Sequence, residues 1–212
     1  MEPNIWVVDV VTDKVYKYDM SGGYIDSWSL TGENALPYGI TTEGTYIWVV
    51  DYLDNKVYTY SMAGVHIDTW ALTGENTAPL GITIHVSDIW VVDNFANKVY
   101  RYTRYGHYIG SWALTGENTD PFGIATDGIN MWVVDVVTAK VYKYDMSGNY
   151  VNSWSLTGEN ADPFGIATDG INIWVVDSLD DVVYKYVGPV VPPPVVKKIP
   201  RHSGTAGMSH II

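Results

Sequence analysis

The chain has 212 residues and a formal net charge of −12, because 24 acidic residues outnumber 12 basic ones. A chain this acidic repels phosphate groups, which argues against nucleic-acid binding. Its 47% hydrophobic residues suffice for a core, while it has no cysteine for disulfides and no apolar run long enough to span a membrane.

Tryptophan recurs along the chain with a constant spacing of 42 residues. Every tryptophan belongs to one of two series, and each member of the first series is followed by Val-Val-Asp. The first series is Trp6, Trp48, Trp90, Trp132 and Trp174, and the second is Trp28, Trp70, Trp112 and Trp154. A strand-rich repeat of this length is typical of β-propeller blades, because so short a unit buries its apolar face only against copies of itself. The sequence therefore predicts an all-β fold, a five-bladed β-propeller of 42-residue four-stranded blades.

Within each unit, turn residues separate four short apolar runs, which we name strands a to d. Asp-Gly and Ser-Gly pairs favour tight hairpins, since glycine tolerates positive φ. Strand b is apolar on both faces, as expected of a strand between neighbouring blades, so we interpret both tryptophan series as inter-blade packing. The elements of the fourth unit are strand a at Pro121–Ala125, the Asp127-Gly128 turn, strand b at Ile129–Asp135, strand c at Lys140–Tyr144, the Ser147-Gly148 turn, strand d at Tyr150–Leu156 and the Thr157–Asn160 loop.

The repeat is incomplete at its two ends. Strands b and c occur five times but strands a and d four times, so the first blade lacks its inner strand and the fifth its outer strand. Bare strand edges promote association, and propellers close by joining strands from both chain ends. We therefore expect the C-terminal tail or a neighbouring protomer to complete the end blades, with Thr205–Ile212 as the more apolar candidate.

The predicted domains are a propeller at 1–188 and a Pro-rich C-terminal arm at 189–212. Pro189–Pro200 is too rich in proline for a helix and predicts an extended polyproline conformation. All acidic residues precede the arm, which carries Lys197, Lys198 and Arg201. We expect the arm to lie along its own acidic body or across a neighbour. The predicted partners are therefore proteins, including other copies of this chain, and neither nucleic acid nor a membrane.

The fifth unit contains the string Pro-Phe-Gly-Ile-Ala-Thr-Asp-Gly-Ile-Asn-Ile-Trp-Val-Val-Asp at Pro163–Asp177. This string resembles the inner strand and the aromatic-Val-x-Asp second strand of NHL-type propeller repeats. The resemblance covers about 1–188 and implies the fold more than an activity, since that family includes protein-interaction and RNA-binding modules and related propellers include lyases and hydrolases. The chain departs from the pattern by losing the Asp-Gly turn at Thr83–Val86 and the strand-c lysine at Val182.

One face of the predicted ring gathers carboxylates, because the b–c and d–a connections emerge on the same side. It carries the aspartate that ends each strand b and the glutamate of each Thr-Gly-Glu-Asn loop. These residues are Asp9, Asp51, Asp93, Asp135 and Asp177, with Glu33, Glu75, Glu117 and Glu159. The aspartates could hold Ca²⁺, but each could instead pair with the lysine across its hairpin and cap the turn. Capping is the favoured interpretation, so we predict neither a cofactor nor a metal.

The same face carries one apolar residue in each b–c loop, two positions after the aspartate. These residues are Val11, Leu53, Phe95, Val137 and Leu179. Because loops rarely expose such side chains, they form a candidate binding surface together with the loop glutamates. Packing beneath the adjacent Thr-Gly-Glu-Asn loop is the alternative explanation.

Catalytic patterns are sparse in this sequence. His66, His85 and His107 fall at different phases of the repeat, and His202 and His210 lie in the tail, so neither a metal-ligand cluster nor a Ser-His-Asp arrangement is predicted. We therefore predict a non-enzymatic structural or protein-interaction propeller within a larger assembly such as a virion or surface structure. The alternatives are a multivalent carbohydrate-binding lectin with sites between blades, and a lyase or hydrolase of the kind seen in related propellers. The opening Met-Glu-Pro-Asn lacks the features of a secretory signal, which favours synthesis in the cytoplasm and leaves later incorporation into an extracellular or virion assembly open.

Overall fold

The computed structural model describes residues 4–179, 182–187 and 197–200, which form an all-β structure of 19 strands. Strands that are consecutive within a sheet pair antiparallel. In the described residues no helix is long and apolar enough to cross a membrane. The strands are β1 (Asn4–Asp9), β2 (Lys14–Asp19), β3 (Tyr24–Ser29), β4 (Pro37–Thr42), β5 (Tyr46–Asp51), β6 (Lys56–Ser61), β7 (His66–Ala71), β8 (Pro79–His85), β9 (Asp88–Asp93), β10 (Lys98–Thr103), β11 (Tyr108–Ala113), β12 (Pro121–Thr126), β13 (Asn130–Asp135), β14 (Lys140–Asp145), β15 (Tyr150–Ser155), β16 (Pro163–Thr168), β17 (Asn172–Asp177), β18 (Val182–Val187) and β19 (Lys197–Pro200).

The strands form five sheets, which we number as blades 1 to 5 along the chain. Blade 1 contains β1–β3, and blades 2 to 5 contain β4–β7, β8–β11, β12–β15 and β16–β19. The first strands of blades 2 to 5 lie side by side around the axis. Blade 5 packs directly on blade 1, since Val176 and Ile5 belong to one buried cluster. The ring thus closes with five blades, and the predicted propeller is confirmed.

Each joint between neighbouring blades buries the same kinds of side chain. At the joint between blades 2 and 3, Trp48 and Val50 of β5 share a cluster with Ile82, Val91 and Tyr102. The five strand-b tryptophans are only 2–4% exposed. Burying roughly 200 Å² of indole surface contributes about 5 kcal/mol before entropic costs are subtracted. The predicted inter-blade role of these tryptophans is confirmed.

Two tyrosines of strand c hold the Thr-Gly-Glu-Asn loop of the preceding blade. In blade 2, the Tyr58 hydroxyl donates to the backbone oxygen of Glu33 at 3.0 Å, and the Asn34 side-chain nitrogen donates to the Tyr60 hydroxyl at 3.1 Å. The same two bonds recur at the next three joints. The Tyr60 ring also contacts Trp28 of the second tryptophan series, with centroids 5.0 Å apart. These loops are therefore structural connectors between blades.

The C-terminal tail completes the fifth blade, as predicted. β19 pairs antiparallel with β18, and Ile199 lies opposite Val183. This strand comes from the end of the Pro-rich segment, whereas residues 189–196 and 201–212 of the predicted arm, including the candidate Thr205–Ile212, lie outside the described residues. An outer strand pairs on one side only, so it tolerates a proline such as Pro200.

Replacing Tyr144 with Phe should weaken the joint between blades 3 and 4. The Tyr144 hydroxyl accepts from the Asn118 side chain at 3.2 Å and from the Thr115 backbone at 3.2 Å. Because both donors lose their acceptor, we expect the free energy of unfolding to fall by about 1–3 kcal/mol in a urea titration. Tyr105→Phe is the matched control, since Tyr105 is exposed. Equal midpoints for the two variants would contradict this role of the hydroxyl.

Stability should also fall in alkaline solution. Burial raises the pKa of both Tyr100 and Tyr144 to about 12, because desolvation penalises the phenolate. In the unfolded chain these phenols titrate near pH 10, so as the pH rises the unfolded state releases its protons first. Their stabilisation is therefore complete below about pH 10 and is lost as the pH rises toward about 12. Urea midpoints should decline across this range, less steeply for Tyr144→Phe, and a flat profile would argue against the shifted pKa values.

Candidate functional site

We call the face with the Thr-Gly-Glu-Asn loops the upper face and the opposite one the lower face. On the upper face, Asp51 accepts a bond from the Leu53 backbone at 2.7 Å with Oδ1 and from the Leu36 backbone at 2.9 Å with Oδ2. The same use of both oxygens recurs in Asp93, Asp135 and Asp177. These four aspartates thus cap their hairpins and tie the preceding loop to the blade. Lys56 forms its ion pair with Asp54, at 2.7 Å, instead of across the hairpin with Asp51.

The apolar loop residues of the upper face are all exposed, from 62% for Val11 to 83% for Phe95. They therefore do not pack beneath the neighbouring loops, which was the alternative explanation. The four loop glutamates are exposed as well. The fold brings both sets to one face, and their role in binding stays a prediction. Within the described part of the chain, no group of three or more His, Cys, Asp or Glu side chains is placed to hold a metal ion.

Residues that depart from the repeat are dispersed in the sequence, but the fold gathers them in two places. The first is an axial cluster at the upper end of the inner strands. There Phe122 and Phe164 of adjacent blades meet edge to face, with centroids 4.5 Å apart. The Asn94 amide donates to the Asp120 carboxylate at 2.6 Å, across a blade joint. The cluster combines aromatic contacts with a carboxylate that is already hydrogen-bonded, which suits packing and orientation better than proton transfer.

The second place is the lower face, where clefts open between blades beside the strand-b tryptophans. The cleft between blades 4 and 5 has a volume of about 50 Å³. The cleft between blades 2 and 3 has about 140 Å³, and the cleft between blades 3 and 4 has about 320 Å³. They differ in volume and in lining residues, whereas the lectin alternative predicts near-equal sites. We call the cleft between blades 3 and 4 the third-blade cleft. Of these three clefts, it alone has the volume of a small-molecule site.

The wall of the third-blade cleft holds a fixed guanidinium group. Arg101 Nε donates to Asp88 Oδ2 at 2.8 Å, and the guanidinium carbon lies 5.3 Å from the centre of the Trp90 ring. A charge-assisted bond and a cation–π contact together restrict the rotamers of the arginine. The cleft is lined by His85, Val86, Ser87, Asp88, Trp90 and Arg101 of blade 3 and by Gly128 and Met146 of blade 4.

The imidazole of His85 is positioned by the neighbouring blade. A Cβ atom added to Gly128 would lie 2.2 Å from His85 Cε1, so only glycine at this turn leaves room for the ring. His85 lies opposite Asp88 in the β8–β9 hairpin. An imidazole, a carboxylate and a guanidinium thus share one cleft and can together bind a polar ligand and move a proton. The other described histidines lie elsewhere, since His66 packs on Tyr60 and His107 is exposed on a different turn.

The turn beside His85 is strained. Val86 has a φ of +58°, in the left-handed region that β-branched residues rarely adopt. Blades 2, 4 and 5 have Gly44, Gly128 and Gly170 at the equivalent position, with φ between 84° and 90°. Such strain persists where the surrounding structure enforces it, and it is concentrated at functional sites. The loss of the Asp-Gly turn was therefore the sequence signal of this site, but its connection with Arg101 arises only in the fold.

Val86→Gly should stabilise the protein. A left-handed valine costs about 1–2 kcal/mol, of which the higher backbone entropy of glycine in the unfolded chain offsets about 0.5–1 kcal/mol. We expect a net gain of up to about 1 kcal/mol in a urea titration. The reverse change in the next blade, Gly128→Val, introduces a side chain where His85 lies and should destabilise the fold. A less stable Val86→Gly variant would show that the turn is not strained.

Comparisons with known proteins identify the relatives of this chain. Residues 1–184 match the model of the virginiamycin B lyase family, whereas a comparison with curated proteins finds no match. Among solved structures, the chain is similar to a catalytically inactive histidine-to-alanine virginiamycin B lyase from Staphylococcus aureus with quinupristin, at 21% identity and a TM-score of 0.59, over 92% of this chain and 65% of that chain. It is also similar to a streptogramin B lyase, at 18% identity and a TM-score of 0.57, over 91% of this chain and 63% of that chain.

A non-lyase structure shares the fold as well. A chain of a nidogen/laminin complex is 17% identical with a TM-score of 0.68, over 98% of this chain and 83% of that chain. At these identities the structural likenesses show the fold alone. The chain spans less than two thirds of the length of the first two lyase structures, 65% and 63%.

The family match corrects the functional prediction. The prediction of a non-enzymatic structural or protein-interaction propeller in a larger assembly is wrong, because the matched family is a lyase family, in agreement with the lyase alternative. The NHL resemblance is confirmed only as a resemblance to repeat β-propellers, since the matching family is a different one. The error has a physical source: ligand spacing along the sequence cannot reveal a candidate site such as the third-blade cleft, whose lining comes from several turns and two blades.

Proposed function

The chain belongs to the virginiamycin B lyase family, and we propose that it is a lyase whose reaction takes place in the third-blade cleft. The family match over residues 1–184 carries the proposal of lyase activity. One similar solved lyase holds quinupristin and another is a streptogramin B lyase. We therefore propose streptogramin B compounds as the substrate class.

A lyase breaks a bond by elimination and does not add water. A base takes a proton from carbon, the bond from the neighbouring carbon to the leaving group breaks, and the electron pair of the broken C–H bond forms a double bond. The proton is easiest to remove next to a carbonyl group, where negative charge spreads onto oxygen. Such a site needs a base, a cationic donor for that oxygen, and a proton donor for the leaving group.

The third-blade cleft supplies these groups within one wall. The imidazole of His85 can take the proton from carbon and later give it to the leaving group, which balances the reaction. Arg101 uses Nε and one terminal nitrogen on Asp88, so its remaining N–H groups can bind the carbonyl oxygen of the substrate. Because Gly128 has no side chain, the joint leaves space for the imidazole of His85, and this space supports the orientation of the imidazole toward the cleft.

The choice of this cleft also follows from charge. The protein is acidic overall, with a net charge of −12, and both arginines of the described residues belong to blade 3. Arg104 is paired with Glu43 at the neighbouring joint. Blade 3, which departs most from the repeat, thus places the guanidinium of Arg101 in the same cleft as the imidazole of His85. This positive charge favours stabilisation of the negative charge that develops on the substrate there.

The proposal is tested by incubating the purified chain with quinupristin and following the products by mass spectrometry. Elimination conserves mass, so the product or products together have the mass of quinupristin and are separated from it by chromatography, whereas hydrolysis adds the mass of water. We expect His85→Ala to lower kcat/KM by about 100-fold or more, because the proton transfer loses its base. Arg101→Gln should lower kcat as well, since the substrate oxygen loses its cationic partner.

His107→Ala is the matched control, because His107 is an exposed histidine of the same blade. Its rate should equal that of the unsubstituted chain, and all variants should share one urea midpoint. Full activity in His85→Ala would remove the third-blade cleft from the mechanism. Intact quinupristin after incubation would overturn the proposed substrate class, and products that have gained water would overturn the lyase reaction.

A further inference from the structure

The cleft between blades 2 and 3, which we call the second-blade cleft, collects side chains that interrupt the repeat. It is lined by Tyr46, Trp48, Thr59, Ile67 and Asp68 of blade 2 and by Arg104 and Tyr105 of blade 3. Tyr46 stands where the other blades have asparagine or aspartate, Thr59 where they have lysine or arginine, Arg104 where three have methionine, and Tyr105 where three have serine or alanine. Four departures from the repeat thus meet at one joint.

The loss of the strand-c lysine explains why this cleft is open. Trp48 lies opposite Thr59, and Thr59 opposite Asp68, so the three residues form one row across blade 2. In the same row of blade 1, Lys17 lies opposite Asp26 and its ammonium lies 5.1 Å from the centre of the Trp6 ring. A threonine side chain is too short to cover the indole. The row of blade 2 therefore keeps the indole and the carboxylate without an ammonium group between them.

Arg104 of blade 3 replaces the lysine only in part. Its guanidinium carbon lies 5.4 Å from the centre of the Trp48 ring, and the guanidinium is paired with Glu43. The carboxylate of Asp68 is exposed, and its Oδ1 accepts from the Thr69 backbone at 2.8 Å. A carboxylate has about four acceptor positions, so Asp68 can accept further bonds. Because Glu43 neutralises Arg104, the charge of Asp68 and the overall charge of −12 favour a cation at this cleft.

Aromatic and aliphatic side chains form the rest of the cleft. The Tyr46 ring meets the Trp48 ring edge to face, with centroids 6.0 Å apart. The Tyr105 side chain is 72% exposed and that of Ile67 is 49% exposed, so both offer apolar surface to a ligand. The volume of about 140 Å³ is too small for a drug-sized ligand. A cavity of about 150 Å³ holds one benzene ring, so this cleft has room for a single aromatic ring.

We propose that the second-blade cleft binds a small protonated amine that carries one aromatic ring. The ring packs among Tyr46, Trp48 and Tyr105, where aromatic contacts are favourable. The ammonium group donates to Asp68, beside the row position that the strand-c lysine fills in blade 1. The site lies on the other side of blade 3 from the third-blade cleft, and its ligand binding does not depend on the proposed lyase reaction.

Phenethylamine is the probe that tests this assignment, with binding followed by saturation-transfer NMR on the purified chain. Phenylacetate has the same ring with a negative charge, and ethylamine has the ammonium group without a ring. We expect phenethylamine to bind at least about tenfold more tightly than either, because each of the others lacks one of the two interactions. Equal binding of the three compounds, tighter binding of phenylacetate, or no signal from phenethylamine would overturn the proposal.

The carboxylate is tested by Asp68→Asn, which removes the charge and keeps the shape of the side chain. The dissociation constant of phenethylamine should rise about tenfold, because the ammonium group loses its charged acceptor. Asp26→Asn is the matched control, since Asp26 holds the same row position in blade 1 beside a lysine. It should leave the affinity unchanged. An unchanged affinity in Asp68→Asn, or an equal loss in Asp26→Asn, would contradict the role of Asp68.

The shape of the cleft is tested by restoring the repeat with Thr59→Lys/Arg104→Met. The lysine should cover Trp48 as its equivalents cover Trp6, Trp132 and Trp174, so phenethylamine binding should be lost. Tyr105→Ser gives a second measurement that spares the fold, because Tyr105 is exposed and two other blades have serine there. It should lower the affinity without moving the urea midpoint. Unchanged affinity in either variant would contradict binding in this cleft.

His85→Ala separates this site from the proposed lyase site. Because His85 lines the third-blade cleft, this variant should bind phenethylamine as tightly as the unsubstituted chain does. Amine binding and quinupristin conversion are measured separately, so either proposal can fail alone. Loss of amine binding in His85→Ala would assign the amine to the third-blade cleft and overturn the proposal.

Discussion

The joint between neighbouring blades is the constraint on which the rest of this structure depends. One blade is a single sheet whose strand b is apolar on both faces, so it cannot remain in water alone, and only the next blade covers it. All five joints bury a strand-b indole. At four of them two strand-c tyrosines hold the preceding loop, and at three an inner-strand glycine lets the backbones approach. These contacts fix the spacing of the blades, and that spacing defines the clefts between them.

The contacts at the joints distinguish repeated structural residues from the candidate site residues. The strand-b aspartates and the loop asparagines that recur along the chain are explained by hairpin capping and loop attachment. The chemistry that the joints do not use is concentrated in blade 3, where His85, Val86 and Arg101 depart from the repeat and share one cleft. Because a cleft needs only two adjacent blades, it can form in a chain that spans 65% of a similar lyase.

The joints also compensate for local changes in sequence. A lysine of strand c lies over the strand-b tryptophan of its own blade in the pairs Lys17 and Trp6, Lys143 and Trp132, and Lys185 and Trp174. Blade 2 has Thr59 at the lysine position, and there Arg104 of blade 3 covers Trp48 at 5.4 Å. A cation over an indole ring is stabilised by the ring quadrupole whichever blade supplies it. Substitutions in one blade are therefore best judged together with the facing blade.

The amino-acid sequence by itself determined the fold class, the blade number and the role of the tryptophans, because a regular period and strand patterning are local properties that repetition makes unambiguous. It also indicated that the tail would complete a blade, and Lys197–Pro200 does so in blade 5. Only the tertiary structure decided which residues share the third-blade cleft. His85 and Gly128 belong to different blades, and their contact depends on the distance and angle between two sheets, which no spacing along the chain encodes.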